Sequence, residues 1–228
     1  MAFPRWARSP AARAFRRVSL ATWILPPLVW VMRLRVTGRE HLSTLTTPVI
    51  FAANHQSHMD TPAIYAALPG DLRHHVAPAM AREFFAPWFG IGGRAAWPAR
   101  LLSGAAFHAA CLCFNAFPLP QTSNPRSAFR YMREVVDEGY SILIYPEGRR
   151  VDDGPIEPFK RGVGVVALHL GLPVVPVRID GLDYIFPRKA RIPRRGHGRV
   201  TFGAPIMATP DDTAASLTQR IEDAVRAL

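Results

Sequence analysis

Apolar and polar positions along this chain follow two rhythms: short apolar runs of strand length, and longer stretches with helical spacing. Val49–Ala53, Ser141–Tyr145 and Val174–Ile179 are nearly continuous apolar runs, the pattern of strands covered on both faces. Leu34–Thr37, Arg73–Pro78, Phe114–Leu119 and Gly198–Phe202 read as further strands. Between them, helices are predicted near Met59–Ala67, from Ala81 with a break at Pro87, over Leu101–Cys113, and over Gly162–Leu170. Another is capped by Ser123 or Asn124, has Pro125 at its first position, runs to about Glu138 and is closed by Gly139. The last helix has its start signal at Thr209-Pro210-Asp211-Asp212 and an apolar face of Leu217, Ile221, Ala224 and Val225. Strands alternating with helices imply an α/β fold, a mostly parallel sheet flanked by helices on both faces. Ligands of such sheets gather beyond the carboxyl ends of the strands.

Val18–Met32 breaks the alternation with fifteen residues that carry no charge, bracketed by Arg13, Arg16 and Arg17 before it and Arg33 and Arg35 after it. It is shorter than the roughly 20 apolar residues of a bilayer span. Pro26-Pro27 divides it, so two broken helical pieces carrying Trp23 and Trp30 are expected to lie in a membrane interface. A cleaved signal peptide, for which no small-residue cleavage site follows Met32, and a hydrophobic helix packed on the domain are the competing readings. The chain is therefore divided into an N-terminal membrane-interface segment, residues 1–33, and a single domain, residues 34–228.

Composition agrees with a folded, rather apolar protein: 49% of residues are hydrophobic and 20% charged, which excludes a disordered or collagen-like chain. The net charge of +11 rests on 28 basic residues of which only Lys160 and Lys189 are lysines. Positive charge concentrates in residues 1–40 and in the segment from Arg188 to Arg199, so polyanions are the expected partners. Because the basic stretches flank apolar ones and no nucleic-acid-reading motif is present, an anionic membrane surface is favoured over nucleic acid. Cys111 and Cys113 stand too close together for an ordinary disulfide and read as buried thiols.

Candidate chemistry begins where the run PVIFAANHQSHMD, Pro48–Asp60, changes from apolar to polar. On one straight helix, His55 and Asp60 would project about 140° apart. A strand, a turn at Gln56-Ser57 and a helix starting near His58 would instead fold the carboxylate back onto the imidazole. Such a pair makes a general base, one ring nitrogen held by the carboxylate and the other open to a proton. His55, His58 and Asp60 could alternatively supply metal ligands, but no second ligand cluster of matching spacing accompanies them. A second cluster, YPEGRR, follows the strand Ser141–Tyr145 and places Glu147, Gly148, Arg149 and Arg150 at the same sheet edge. FKRGVG then offers Lys160, Arg161, Gly162 and Gly164 at a helix start, where amides and dipole favour an anion. Together these loops have the composition of a phosphate clamp. The aromatic and glycine-rich stretch Phe84–Ala96 reads either as core or as an acyl-chain slot or membrane-facing patch.

NHQSHMD, YPEGRR, FKRG and VVPVRIDG (Val174–Gly181), in this order, resemble the glycerophospholipid acyltransferases, the 1-acylglycerol-3-phosphate acyltransferase family, over roughly Leu34–Ala208. The resemblance implies acyl transfer from acyl-CoA or acyl carrier protein (acyl-ACP) to the hydroxyl of a lysophospholipid, with no further cofactor and no metal. The partners expected are a membrane lipid substrate, an anionic membrane surface and, where the donor is acyl-ACP, an acyl carrier protein, with the enzyme peripheral or monotopic on the cytoplasmic face. By this resemblance His55 matches the catalytic base and Asp60 its orienting carboxylate. Glu147, Gly148 and Arg150 match the acceptor-binding block, and Lys160 and Gly162 the basic turn after it. Val175-Pro176 matches the last block. Two positions depart from the pattern: Phe117-Pro118-Leu119-Pro120-Gln121 lacks the arginine of the second block, and Arg149 replaces a small hydroxyl residue. The acceptor is then 1-acylglycerol-3-phosphate or a different lysolipid, such as a lyso-ornithine type.

Overall fold

The computed structural model describes residues 3–43, 45, 48–91, 93, 95–119, 126–151 and 154–228. Seven strands, β1 (Arg35–Thr37), β2 (Ile50–Ala53), β3 (Val76–Ala81), β4 (Phe117–Leu119), β5 (Ser141–Ile144), β6 (Val174–Asp180) and β7 (Arg199–Phe202), form one sheet in the order β1-β7-β6-β2-β5-β3-β4. The helices are α1 (Pro10–Ser19), α2 (Leu25–Met32), α3 (Asp60–Ala67), α4 (Gly70–Arg73), α5 (Ala86–Phe89), α6 (Trp97–Phe114), α7 (Arg126–Asp137), α8 (Gly162–Leu170), α9 (Leu182–Ile185) and α10 (Ala214–Ala227). The fold is the α/β arrangement expected from the alternation of strands and helices.

The sheet is not uniform in direction. β6, β2, β5, β3 and β4 run parallel, whereas β7 is antiparallel to β6, and β1 is parallel to β7. The starts of β1 and β7 therefore share an edge with the carboxyl ends of the other five strands.

Alternate residues of each strand feed two cores, as the period of two requires. Phe51, Ala53, Val175, Val177, Ile179, Val200 and Phe202 face one side, under α2, α3 and α9. Ile50, Ala52, Ile142, Ile144 and Val174 face the other, under α7, α8 and α10. The central strand β2 is fully buried, which accounts for its unbroken apolar run.

Several boundaries differ from the expectation. Pro26 and Pro27 do not divide the N-terminal segment: α1 continues through a π-turn, Leu20–Ile24, directly into α2. The wider turn bonds the Leu25 N–H to the Leu20 carbonyl, and the two prolines then occupy the first turn of α2, where absent N–H groups are tolerated. The segment also packs inward, since Leu20, Leu25 and Met32 are buried in the core shared with β2 and β6. Arg16 fastens it: this buried guanidinium donates to the carbonyls of Ala7, Cys111 and Leu112, joining α1 to the end of α6. Burial lowers the pKa of Arg16 and pushes the Cys111 thiol up to about 12. Cys113 is only half-buried.

At the other terminus Thr213, not Thr209, caps α10, accepting from the Ser216 N–H while Ser216 returns the bond in a capping box. Thr209 instead closes a turn on Asp212. The expected cap at Ser123, Asn124 and Pro125 lies outside the described residues.

Candidate active site

Strand β2 ends at Ala53, and Asn54 replaces its next ladder partner with a side chain: Nδ2 donates to the Ile179 carbonyl at 2.9 Å and Oδ1 accepts the Ile179 N–H at 2.8 Å. The main chain is thereby released into the loop that carries His55. Asp60 is the first residue of α3, so the loop from Asn54 to Met59 folds its carboxylate back toward the strand end.

The resulting pair is close. Nδ1 of His55 lies 2.8 Å from Oδ2 of Asp60, with the imidazole 24% exposed and the carboxylate fully buried. The same oxygen accepts the backbone N–H groups of Gln56 at 2.6 Å and Ser57 at 2.8 Å. Three donors on one carboxylate oxygen hold the buried charge and keep the ring orientation fixed. The His55 ring stacks on Tyr145, centroids 4.2 Å apart, and the Tyr145 hydroxyl meets Thr61 Oγ1 at 2.8 Å. Burial first, and the Asp60 charge second, hold the Tyr145 phenol well above its usual range, so it is a neutral platform.

Glu147 lies beneath the loop and not at its surface, being 2% exposed. Its Oε1 accepts the His55 N–H at 2.7 Å and its Oε2 the Glu157 N–H at 3.1 Å. Burial raises its pKa above the ordinary carboxylate range even though both amide bonds favour the ionised form. The Val151 N–H donates to the His55 carbonyl at 2.9 Å, so the loop after β5 is stitched to both sides of the histidine backbone.

The basic residues stand on the loop that follows β5, which Glu147 and Val151 tie to the His55 backbone. Gly148 has φ 72°, and a Cβ there would lie 2.4 Å from the Lys160 Nζ, so the lysine side chain runs directly over the glycine. Lys160 and Arg149 are exposed, Arg150 is half-buried, and Arg149 pairs with Glu157. Arg161 occupies the N-cap position of α8 without a side-chain capping bond and is exposed, beside Gly162 as the first helical residue.

Gly164 differs from the anion-binding role expected of it. A Cβ there would lie 2.2 Å from the Ala214 carbonyl and 2.6 Å from Thr218 Oγ1, so this glycine exists to let α8 pack closely on α10. His58 is exposed, with its ring 5.4 Å from Phe84 and 6.4 Å from Phe186. Among the described residues no group of three or more His, Cys, Asp or Glu side chains is arranged to hold a metal ion.

Phe84–Ala96 divides between core and surface. Phe85 is buried with Phe107, while Phe84 and Trp88 are exposed, and Gly92 and Arg94 lie outside the described residues. The neighbouring surface of α6 exposes Trp97, Leu101 and Leu102, and the N-terminal helices expose Phe15, Val18, Trp23 and Trp30. No described helix is long and apolar enough to cross a membrane. The sequence did not single out Tyr145, Thr61 or Ser57, whose contributions are a ring face, a hydroxyl and a backbone amide, none of which has a distinctive spacing.

An imidazole backed by a buried carboxylate, at a sheet edge lined with cationic side chains, can take a proton from a bound hydroxyl next to an anionic headgroup. The comparisons with known proteins bear on what that hydroxyl belongs to. The chain is 27% identical over 204 residues to the chloroplastic 1-acyl-sn-glycerol-3-phosphate acyltransferase BAT2 of Brassica napus, covering 88% of this chain and 53% of that protein. It is 27% identical over 188 residues to the 1-acyl-sn-glycerol-3-phosphate acyltransferase alpha of Homo sapiens, covering 81% of this chain and 59% of the relative. The chain thus spans somewhat over half the length of these relatives. The crystal structure of the 1-acyl-sn-glycerophosphate (LPA) acyltransferase PlsC from Thermotoga maritima shares the fold, with a TM-score of 0.63, 21% identity, and coverage of 95% of this chain and 76% of that one. The Acyltransferase family model matches residues 33–180, which include β2, the His55 loop, the Glu147 loop and β6, and on that match the chain belongs to the Acyltransferase family.

Proposed function

We propose that this chain transfers a fatty acyl group from a CoA or acyl carrier protein thioester to the hydroxyl of a lysophospholipid, 1-acylglycerol-3-phosphate or a close analogue, at a membrane surface. The observation that carries this reading is the 2.8 Å contact between His55 Nδ1 and the buried Asp60. With Nδ1 donating to the carboxylate, Nε2 presents its lone pair. It takes the proton as the acceptor oxygen forms a bond to the thioester carbonyl carbon. Collapse of the tetrahedral adduct breaks the C–S bond, and the imidazolium returns the proton to the departing sulfur, so thiol and ester leave and the base is restored. A positioned hydroxyl and an activated ester need no serine or cysteine nucleophile.

Arg149, Arg150 and Lys160 are assigned to the acceptor's phosphate, with Arg161 and Gly162 completing the basic turn. Glu147 is assigned a positioning role, since both its oxygens are bound to backbone amides and it touches the reaction only through the His55 main chain. The exposed aromatic and aliphatic side chains of α1, α2, α5 and α6, with arginines beside them, support a peripheral or monotopic seat on an anionic leaflet, the cytoplasmic one. Residues 1–33 then serve as an interface segment that also packs on the core, and 34–228 as the acyltransferase domain. Because no arginine stands in Phe117–Leu119, an acceptor other than a phosphatidate precursor, such as a lyso-ornithine lipid, is the second reading.

The test is thiol release from acyl-CoA and acyl-ACP with a panel of lysolipids. His55→Ala and Asp60→Asn should each lower turnover by about 10² to 10⁴ while leaving the melting transition in place. Near-normal turnover in either variant would overturn the mechanism, and a preference for the ornithine acceptor would select the second reading.

A further inference from the structure

A second concentration of positive charge lies on the same sheet edge, on the opposite side of β2 from the Lys160 turn. It lines an open groove of about 820 Å³ at the ends of β6, β7 and β1, walled by Arg35, Arg178, Asp180, His197 and Arg199. Strand register explains why residues so distant in sequence meet there. Asp180 pairs with Arg199 across β6 and β7, and Arg199 with Arg35 across β7 and β1, so all three stand in one row on one face. Arg178, one row below, is compensated: its Nε lies 3.0 Å from Asp180 Oδ1, and its Nη1 donates to the Arg226 carbonyl at 2.8 Å.

Arg35 and Arg199 differ. They are register partners of like charge, both exposed, and neither side chain makes a hydrogen bond or ion pair among the described residues. Like charges placed directly opposite each other are unfavourable in a sheet unless an anion lies between them. Two register-paired arginines, with His197 lining the same groove, match a ligand carrying several phosphate oxygens.

We propose that this groove binds the phosphorylated nucleotide end of the acyl-CoA donor. The inference rests on the reading of the chain as a thioester-dependent acyltransferase and deepens it. β7 lies two strand spacings from β2, about 10 Å, and β1 three, about 14 Å. A pantetheine arm crosses that interval, leaving its thioester at His55 and its phosphates at Arg35 and Arg199. His55 then stands between two cationic sites, one for the anionic end of each substrate, and the two approach from opposite sides of the central strand.

The experiment compares acyl-CoA with S-acyl-pantetheine, which has the same thioester and no phosphate, in the wild type and in Arg35→Glu/Arg199→Glu, with Arg35→Gln/Arg199→Gln as a milder pair. The ratio of kcat/KM for acyl-CoA to that for S-acyl-pantetheine should fall about tenfold or more in the variants, through KM for acyl-CoA and not kcat. A ratio unchanged in both variants would overturn the proposal. Calorimetric titration with CoA separates it from the functional reading. Where the wild type turns over no lysolipid, CoA binding that weakens at least tenfold in the variants still supports the groove, and equal binding overturns it. Weaker binding to anionic vesicles with CoA binding unchanged would assign the groove to lipid headgroups and overturn it as well.

Discussion

Asn54 and Ile179 are joined by two hydrogen bonds in which the asparagine amide takes the place of a neighbouring strand's backbone. This substitution of side chain for main chain ends β2 at Ala53, two residues before His55, and leaves no backbone group of Ile179 unsatisfied. Asn54→Ala should therefore strand a buried N–H and a buried carbonyl, destabilising the fold by about 2 kcal/mol or more and lowering turnover by displacing the His55 loop. Urea unfolding measures the first effect. An unchanged midpoint would show that Ile179 finds other partners.

Glu147 predicts a pH dependence. Its folded pKa is raised by burial, so the unfolded chain binds fewer protons than the folded one between the ordinary carboxylate pKa and the raised value. Stability contributed at this site is greatest in acid, falls as pH rises through that window, and is constant above it. Glu147→Gln removes the dependence, so wild-type minus variant stability, measured from about pH 4 to about pH 8, should slope downward with pH. A flat difference curve would refute it.

Gly148→Ala tests the turn over which the Lys160 side chain lies. The lysine tip can move aside, but a left-handed backbone at φ 72° remains strained for alanine by about 1 kcal/mol. The expected result is a modest drop in melting temperature with a clear rise in KM for the phosphorylated acceptor. A KM that stays put would separate Lys160 from acceptor binding.

Trp97, Leu101 and Leu102 on α6 are 76%, 64% and 73% exposed, so replacing all three with serine removes little from the core. The variant should melt near the wild type yet co-sediment less with anionic liposomes. Undiminished sedimentation would move the membrane contact elsewhere.

What the sequence made legible, and what it hid, follows from the range of each interaction. The strands under two layers of helix were visible as unbroken apolar runs, and the spacing of His55 and Asp60 correctly ruled out a straight helix between them. The reversed direction of β1 and β7 was hidden, because a strand of three or four residues has the same pattern whichever way it runs. Pro26-Pro27 misled for a different reason: a proline announces the missing N–H but not the widened turn that accommodates it. Gly162 and Gly164 look alike in FKRGVG, yet only the packing of α10 distinguishes a helix start from a close contact between helices.

The burial of Leu20, Leu25 and Met32 alongside β2 and β6 has a practical corollary. A fragment beginning at Leu34 would bare an oily floor under α3 and β6, and Arg16 would no longer clasp the carbonyls that terminate α6. The first thirty residues are masonry as much as mooring: trimming them to obtain a more tractable protein would remove part of the wall against which the histidine loop is built.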